Sequence, residues 1–581
     1  MFAKILIANR GEIAVRVMRT AREMDIATVA VYSEADRDAL HVQMADEAYL
    51  IGPASPSLSY LNVDKLIDIA QRSGADAIHP GYGFLAENAA FARRVVEAGL
   101  TWIGPHADAI DAMGDKLRAR AAMQKAKVPV VPGGIAPIED LEGARRAAKN
   151  YGYPLALKAS GGGGGKGLKI AHDDSELESA FETARREAEA YFKNPTIYAE
   201  RYLENPKHIE LQILADKHGT VLHVGERDCS LQRRHQKLWE EAPARLSVGL
   251  RRKMRAAAVR AAEAIGYDSV GTIECLVSGS RFFFLEMNTR IQVEHTVTEM
   301  ITGMDLVREQ IRVAAGEPLG FVQDDIRFDG FAIEGRVNAE DPSQDFRPAP
   351  GTISTYREPG GPGIRVDSAA YPGMTIGADY DSMIAKLIVW APTRTQSIAR
   401  FKRAIDEFAI GGVPTTLPLL RALCDDPEIV EGDYGTATLE AFAALHRDQL
   451  VSNVATGATA EAAPSDELRV EVNDRMYRVR LIDRPSGASN NGANGRRIAP
   501  RTAKRANAAA SGNDAVSPMH GVVIEVKVET GDAVSEGQVL AVVEAMKMMN
   551  EIRAHRAGTV ETIHAAAGAT VEAGAPLITI S

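Results

Sequence analysis

Short apolar runs and amphipathic segments alternate at the start of the chain. KILIAN, beginning at Lys4, and TVAVYS, beginning at Thr28, are apolar runs of strand length. Between them, GEIAVRVMRTAREM places Ile13 and Val17 at helical spacing. This order predicts a strand, a helix and a parallel strand, the start of a doubly wound α/β domain. Gly11 alone stands at the turn, so the GxGxxG fingerprint is missing and NAD binding is not favoured.

Similar alternation predicts three α/β domains in the first three quarters of the chain, at residues 1–114, 115–315 and 316–446. The amino-acid composition changes after residue 446. Residues 447–465 are small and polar and predict a linker. LRVEV and YRVRL, within 466–484, alternate with period two and predict a short β-hairpin, a candidate partner-docking element. Residues 485–513 have almost no large apolar side chain and predict a flexible tether, which we favour over a basic nucleic-acid arm.

An internal repeat marks residues 514–581. Five positions recur 37 residues later, pairing Gly521, Gly531, Val534, Gly537 and Leu540 with Gly558, Gly568, Val571, Gly574 and Leu577. Two similar all-β halves are therefore expected, with the EAMKM segment on the turn that connects them. A lysine at such a tip is solvated and protonated. Lys547 therefore fits a site of modification better than a nucleophile.

Composition narrows the class of protein. The 581 residues carry 67 Lys and Arg against 78 Asp and Glu, a net charge of -11 that disfavours nucleic-acid and anionic-membrane partners. The three cysteines, Cys229, Cys275 and Cys424, form no CxxC pair, which indicates a reducing compartment. Lys4 and Arg10 interrupt the N-terminal apolar stretch too early for a signal peptide, and no run is long enough to span a membrane. A cytoplasmic location is expected.

A glycine run lies between two strand-like segments in LALKASGGGGGKGLKIA. Glycine lets a backbone close over phosphates without an interfering side chain. The run is not a Walker loop, because Ser160 occupies the first glycine position and Gly167 follows the lysine. A hairpin lid over a nucleotide is the interpretation favoured over a plain linker.

The stretch TIECLVSGSRFFFLEMNTRIQVEHTVTEM concentrates candidate chemistry. If a hairpin turns near Gly279, Glu274 and Glu286 lie almost opposite each other and can share a hard cation such as Mg²⁺. From Glu286 onward every second residue is polar, through Asn288, Arg290, Gln292 and Glu294. An extended segment would align a metal ligand, an anion binder and a base along one wall. An ion-pair ladder on an exposed strand is the alternative.

These motifs carry a family resemblance. SPMHGVV followed by VVEAMKMMNEI resembles the biotinyl domain of biotin-dependent carboxylases, and the flanking methionines separate it from a lipoyl domain. With HPGYGFLAEN, RDCSLQRRHQK and EGRVNAEDP, residues 1–446 resemble biotin carboxylase, an ATP-grasp enzyme. The resemblance implies a multidomain α/β fold followed by a small all-β biotinyl domain, a barrel-sandwich hybrid. The whole chain resembles the α chain of an acyl-CoA carboxylase of the acetyl/propionyl type.

The resemblance also implies the site residues. The implied ATP-binding residues are Lys116, Lys158, Gly164, Gly165, Glu200, Arg201, Tyr202, Leu203, His208, Gln232, His235, Glu274 and Glu286. Glu274, Glu286 and Asn288 are implied to hold Mg²⁺ or Mn²⁺. Bicarbonate is implied to bind Lys237, Arg290, Gln292 and Val293. The implied catalytic residues are Glu294 as the base, Arg290, and Arg336, which also binds biotin, while Lys547 is implied to be the biotinylated residue.

The implied activity is ATP- and bicarbonate-dependent carboxylation of biotin carried on the same chain, for use by a separate carboxyltransferase β chain that binds acyl-CoA. Biotin protein ligase and a second copy of the chain are the other expected partners. A methylcrotonyl-CoA or geranyl-CoA carboxylase α chain and a non-catalytic carrier scaffold are the alternatives. Three residues depart from the family pattern, Lys166, Thr296 and Gly335, and none of them removes a catalytic group.

Overall fold

The chain divides into two compact units. The structure is a computed structural model that describes residues 1–134, 136–160, 168–192, 194–451, 467–472, 475–480, 513–518, 521–545, 548–571 and 574–581. The first unit holds Met1–Thr375 and Met383–Gly457, and the second holds Ile376–Ser382 and Ala458–Ser581. Most of both predicted linkers and the predicted lid lie outside the described residues. Among the residues described, no helix is long and apolar enough to cross a membrane.

The first unit begins with the predicted parallel sheet. Its strands are β1 (Lys4–Ile7), β2 (Ala27–Ser33), β3 (Glu47–Gly52), β4 (Ala77–His79) and β5 (Thr101–Trp102). They lie side by side in the order β3-β2-β1-β4-β5, all parallel. The helices between and after them are α1 (Gly11–Glu23), α2 (Leu40–Met44), α3 (Val63–Ser73), α4 (Ala89–Glu97) and α5 (Ala107–Gly114). Ile13 and Val17 of α1 are buried, which confirms the amphipathic helix.

The middle of the first unit is built on antiparallel strands. Its strands are β6 (Leu155–Ala159), β7 (Leu168–Ala171), β8 (Ile197–Arg201), β9 (Lys207–Ala215), β10 (Val221–Arg233), β11 (Gln236–Ala242), β12 (Val270–Ser278) and β13 (Arg281–Asn288). Its helices are α6 (Lys116–Lys125), α7 (Leu141–Tyr151), α8 (Asp174–Phe192), α9 (Val248–Ala264), α10 (His295–Thr302) and α11 (Leu306–Ala314). β6 lies between β7 and β8 in a three-stranded sheet.

A larger sheet continues into the last part of the first unit. The strands there are β14 (Phe331–Asn338), β15 (Glu340–Asp341), β16 (Arg347–Pro348), β17 (Gly351–Thr352), β18 (Thr355–Arg357), β19 (Ile364–Ser368), β20 (Thr375–Ile376), β21 (Met383–Ala391) and β22 (Ala409–Gly411). The helices are α12 (Arg394–Glu407), α13 (Leu417–Leu423), α14 (Pro427–Glu431) and α15 (Thr438–His446). Single 3₁₀ turns lie at Glu34–Asp36, Pro56–Leu58, Gln323–Asp325, Pro342–Gln344 and Arg447–Gln449. The eight-stranded sheet has the order β13-β12-β9-β10-β11-β14-β21-β19.

The alternation of β9 shows how this sheet separates core from site. Ile209, Leu211 and Ile213 belong to a hydrophobic cluster that also holds α9 residues such as Met254. His208 and the other intervening side chains are polar and nevertheless buried. Since successive side chains of a strand point to opposite faces, one face of β9 packs on helices while the other collects polar groups.

The second unit contains a hairpin and a small all-β domain. The hairpin strands are β23 (Glu467–Val472) and β24 (Arg475–Arg480), with Asn473 and Asp474 outside the described residues. The domain strands are β25 (Asp514–Val516), β26 (Gly521–Val526), β27 (Ala533–Val534), β28 (Val539–Ala545), β29 (Met548–Arg553), β30 (Gly558–Ile563), β31 (Thr570–Val571) and β32 (Pro576–Ile580). They form two four-stranded sheets, β25-β32-β30-β27 and β29-β28-β26-β31.

The internal repeat reappears in the backbone of this domain. Gly531 and Gly568 have φ of 100° and 88°, and Gly537 and Gly574 both have φ of 82°. Glycine is favoured at these four turns because residues with a Cβ rarely adopt such angles. The 37-residue repeat therefore preserves the same turns in both halves.

Candidate active site

A cavity of about 430 Å³ opens in the first unit. It is lined by every predicted ATP-binding, metal-binding, bicarbonate-binding or catalytic residue that the structure describes: Lys116, Lys158, Glu200, Arg201, Tyr202, Leu203, His208, Gln232, His235, Lys237, Glu274, Glu286, Asn288, Arg290, Gln292, Val293, Glu294 and Arg336. Gly164, Gly165 and Lys547 lie outside the described residues. The fold thus gathers side chains from six separate stretches of sequence, around residues 116, 158, 200–208, 232–237, 274–294 and 336, into one site.

Two adjacent strands present paired oxygen ligands to this cavity. Glu274 of β12 is the direct register partner of Glu286 of β13, and Gly279 lies in the turn between the strands. The Asn288 side-chain N–H donates to Glu274 Oε1 over 2.7 Å. Lys116 Nζ lies 3.6 Å from Glu286 Oε2. Carboxylate and amide oxygens on neighbouring strands fit a hard divalent cation such as Mg²⁺.

A buried lysine lies at the centre of three carboxylates. Lys237 Nζ donates to Glu274 Oε1 over 2.9 Å and to Glu294 Oε1 over 2.7 Å, and it also contacts Glu210. Burial opposes the lysine's charge, but the three carboxylates raise its pKa well above the usual value. Lys237 is therefore a permanent cation in the cavity wall.

Glu294 is held between two cations. Its Oε1 accepts from Lys237, and its Oε2 accepts from Arg336 Nη2 over 2.9 Å. Burial raises the pKa of Glu294, yet Lys237 and Arg336 outweigh it and lower that pKa below its usual value. Arg336 is itself oriented by Glu240, whose Oε1 accepts from Arg336 Nε over 2.7 Å. Glu294 is thus an ionised carboxylate that can accept a proton.

Four family profiles match the chain and together cover most of it. They are "Biotin carboxylase, N-terminal domain" at residues 1–110, "Carbamoyl-phosphate synthase L chain, ATP binding domain" at 115–322, "Biotin carboxylase C-terminal domain" at 334–441 and "Biotin-requiring enzyme" at 513–580. Biotin carboxylase 1 of Bacillus subtilis is 53% identical over 76% of this chain and 99% of its own length.

The chain belongs to the biotin carboxylase family. It joins a biotin carboxylase region to a biotin carrier domain, the arrangement of an acyl-CoA carboxylase alpha chain. The Biotin-dependent acyl-coenzyme A carboxylase alpha3 subunit of Mycobacterium leprae is 42% identical over 100% of this chain and 98% of its own length. The Propionyl-CoA carboxylase alpha chain of Ruegeria pomeroyi is 40% identical over 98% of each.

Solved biotin carboxylases share this fold. The biotin carboxylase domain dimer of Hydrogenobacter thermophilus 2-oxoglutarate carboxylase, in complex with MgADP, ADP and bicarbonate, has a TM-score of 0.74 and 51% identity, covering 77% of this chain and 98% of that chain. The predicted fold class is confirmed. The ATP-binding and biotin-requiring profiles also confirm ATP and biotin as expected cofactors, and Mg²⁺ accompanies ADP in the Hydrogenobacter protein.

The predicted extended wall of this biotin carboxylase site is wrong beyond Asn288. β13 ends there, and the chain turns before α10 begins at His295. Glu87, which lies about 200 residues earlier in the sequence, contacts the chain directly after this strand end. Its carboxylate accepts from the Thr289 backbone N–H over 3.1 Å and from Arg290 Nε over 2.9 Å. A long-range contact thus accompanies the turn in place of the alternation, and the polar side chains still reach the cavity.

His208 is bound to the acidic cluster. Its Nε2 lies 3.0 Å from Glu274 Oε2 and 3.3 Å from Glu210 Oε1. Burial alone would lower its pKa, but the two carboxylates raise the pKa of His208 to about 9. His208 therefore adds a second positive charge beside Lys237.

Several buried charges that support the site were not identified from sequence. Arg227, which is fully buried, donates to Glu210 Oε2 over 3.1 Å, to Gln212 Oε1 over 2.6 Å and to Gln292 Oε1 over 2.7 Å. The only sequence signal for Glu210 and Gln212 is their period-two spacing from His208 along β9. Period-two spacing places the three side chains on one face of the strand, but it does not show that this face is buried against charged groups.

The predicted adenine-hinge residue Glu200 also makes unexpected contacts. Its Oε2 accepts from Arg120 Nη1 over 2.8 Å, and its Oε1 contacts Lys158. Arg120 is buried and additionally donates to the Val131 carbonyl over 2.7 Å. Lys158 is thereby held at the cavity wall by a carboxylate that is itself fixed from the core.

Proposed function

We propose that this chain uses ATP and bicarbonate to carboxylate biotin attached to Lys547 and supplies it to a separate carboxyltransferase chain that carboxylates acetyl-CoA, propionyl-CoA or both. One observation carries the proposal for the first unit: the ionised Glu294 lies between Lys237 and Arg336 in the same cavity as the paired acids. A base beside two cations suits removal of a proton from an anionic substrate.

In this proposal the cations and the base act together on bicarbonate. Arg290 and Lys237 attract the planar anion, for which a guanidinium fork is well suited. Glu294 takes the bicarbonate proton as a bicarbonate oxygen attacks the γ-phosphorus of ATP and ADP leaves. The carboxyphosphate formed in this step would break down to CO₂ and phosphate. The phosphate would take the proton from the ureido nitrogen of biotin as that nitrogen attacks CO₂, and Arg336 would offset the negative charge that develops on the ureido oxygen.

The phosphate groups of ATP are assigned to other residues that line the same cavity. Lys116 and Lys158 offset the charge of the ATP phosphates in this proposal. Glu274, Glu286 and Asn288 would hold Mg²⁺ or Mn²⁺, which supplies further charge neutralisation when bound. The acidic and amide oxygens on β12 and β13 fit that role, since Glu274 and Glu286 are register partners.

The acyl-CoA class is proposed from full-length relatives. Two relatives that align with nearly the whole chain are named as an acyl-coenzyme A carboxylase alpha3 subunit and a propionyl-CoA carboxylase alpha chain. The short β23–β24 hairpin is the proposed contact with the β chain, because two strands are too few to form an independent domain.

The α chain of a methylcrotonyl-CoA or geranyl-CoA carboxylase is the second candidate, since such α chains also join a biotin carboxylase to a biotin carrier domain.

Two assays test the proposal. With bicarbonate and free biotin both present, purified chain should release ADP over many turnovers; absence of this activity would refute the biotin carboxylase function and leave the carrier scaffold. Avidin capture from the native host should co-purify a carboxyltransferase chain, and the complex should carboxylate acetyl-CoA or propionyl-CoA faster than methylcrotonyl-CoA. The reverse preference would establish the second candidate.

A further inference from the structure

We propose that His295 and Lys386 are positioning residues that aim the Val293 backbone N–H at bicarbonate. Both side chains are completely buried behind the turn formed by Gln292 and Val293. The inference rests on the proposed function, which assigns bicarbonate to this turn. Neither side chain lines the cavity, so each would act through the backbone.

The Val293 N–H is a free donor at the cavity. Val293 lines the cavity beside Arg290, Gln292 and Glu294. Within the part of the chain that the structure describes, the Val293 N–H has no hydrogen-bond partner. Backbone N–H groups are strong donors that are almost always satisfied, by protein, water or ligand. An unpaired one beside cationic side chains is suited to an anion.

His295 controls the direction of this donor through peptide geometry. The Gln292 carbonyl and the Val293 N–H belong to one planar trans peptide, so they point in opposite directions. His295 Nδ1 lies 2.7 Å from Gln292 O, and a carbonyl only accepts, so Nδ1 carries the proton. By fixing the carbonyl on the buried side, His295 turns the Val293 N–H toward the cavity.

Lys386 fixes the next peptide in the same way. Its Nζ donates to Val293 O over 3.0 Å. The buried ammonium is compensated by Glu12 Oε2 at 3.3 Å and Asp367 Oδ2 at 3.8 Å. Two successive carbonyls are therefore held from behind, one by an imidazole on α10 and the other by a lysine on β21. A turn held at both peptides cannot rotate its N–H away from the ligand.

The test replaces His295 in two matched ways. His295→Asn retains a donor near the Nδ1 position, whereas His295→Gln places it near Nε2. In bicarbonate-dependent ADP release, His295→Gln should raise the KM for bicarbonate on the order of tenfold, the size of one well-placed hydrogen bond. The KM for ATP should change less than about twofold, and His295→Asn should restore most of the bicarbonate affinity.

A KM for bicarbonate that is unchanged in His295→Gln, or that rises equally with the KM for ATP, would overturn the inference. If this variant does not fold, the double variant Glu12→Gln/Lys386→Met is measured in the same assay instead. It removes the donor to Val293 O without leaving a lone charge at the ion pair. The same selective rise in the KM for bicarbonate is expected, and its absence would count against the proposal.

Lys217→Met is the matched control for Lys386. Lys217 Nζ also donates to a backbone carbonyl over 2.8 Å, but this carbonyl belongs to Ala314 and not to the turn of Gln292 and Val293. Its replacement should leave both KM values close to those of the unaltered chain. An unaltered chain without bicarbonate-dependent ADP release would instead refute the proposed function itself, which separates the two failures.

Discussion

At the scale of single residues, the neighbours of Glu294 decide its protonation. Lys237 lies 57 positions away in sequence and Arg336 lies 42 positions away, yet both donate to its carboxylate. Without them, burial would favour the neutral acid, which cannot act as a base. In the proposed reaction Lys237 also attracts bicarbonate, and Arg336 also offsets the charge that develops on biotin, so the base and the charge stabilisation come from one cluster.

Replacing Glu294 by glutamine should remove the base while preserving the shape of the side chain. We expect Glu294→Gln to reduce bicarbonate-dependent ADP release by about 10²-fold or more, the usual contribution of a general base. ATP affinity, measured by calorimetry, should change little. Glu263→Gln, on the exposed face of α9, is the matched control and should retain full activity. Full turnover by Glu294→Gln would contradict the assignment.

At the scale of elements, the N-terminal parallel sheet buries two neutral histidines. His79 ends β4, and its Nδ1 accepts from the Gly81 N–H over 3.0 Å. Burial lowers the pKa of His79 to about 3 and that of His41, on α2, to about 4. Both groups take up protons more readily in the unfolded chain, whose histidine pKa is near 6.5. Their contribution to stability is complete above about pH 6.5 and is lost as the pH falls.

Replacing His79 by asparagine should weaken this acid sensitivity. Asparagine can still accept from the Gly81 N–H but does not titrate. Between about pH 6.5 and 3, the unfolding free energy should fall less steeply in His79→Asn, by up to about 1.4 kcal/mol per pH unit. Denaturant unfolding of the full chain at a series of pH values measures the slope. His172→Asn, at an exposed histidine, should leave it unchanged; equal slopes for all three proteins would disprove the effect.

At the scale of the whole molecule, the two units have separate tasks in the proposed reaction. Every described site residue belongs to the first unit, whereas Lys547 belongs to the second. In the second unit, Ala545 of β28 pairs with Met548 of β29 on either side of residues 546 and 547. The carboxylation of biotin and the carrier role of Lys547 can therefore be tested independently.

Replacing Lys547 by alanine should separate these tasks. Lys547→Ala should abolish avidin binding and acyl-CoA carboxylation with the partner chain, because no biotin can be attached. Free-biotin carboxylation should stay within about twofold of the unaltered chain, since none of the residues proposed for that step is changed. Loss of both activities would contradict the division of labour. Replacement of Lys527, which lies on the same domain, is the control and should preserve avidin binding.

The sequence by itself determined the family, the parallel start, the all-β repeat and most residues that line the cavity. The parallel start, the repeat and the pairing of Glu274 with Glu286 across one hairpin depend on short-range spacing, whereas most of the cavity residues were implied by the family resemblance. Only the tertiary structure decided where the strand ends after Asn288, and which groups orient Glu294, Arg336 and the Val293 peptide. Those contacts join residues that lie far apart in sequence, and a buried charge finds its partner through packing, which local pattern does not encode.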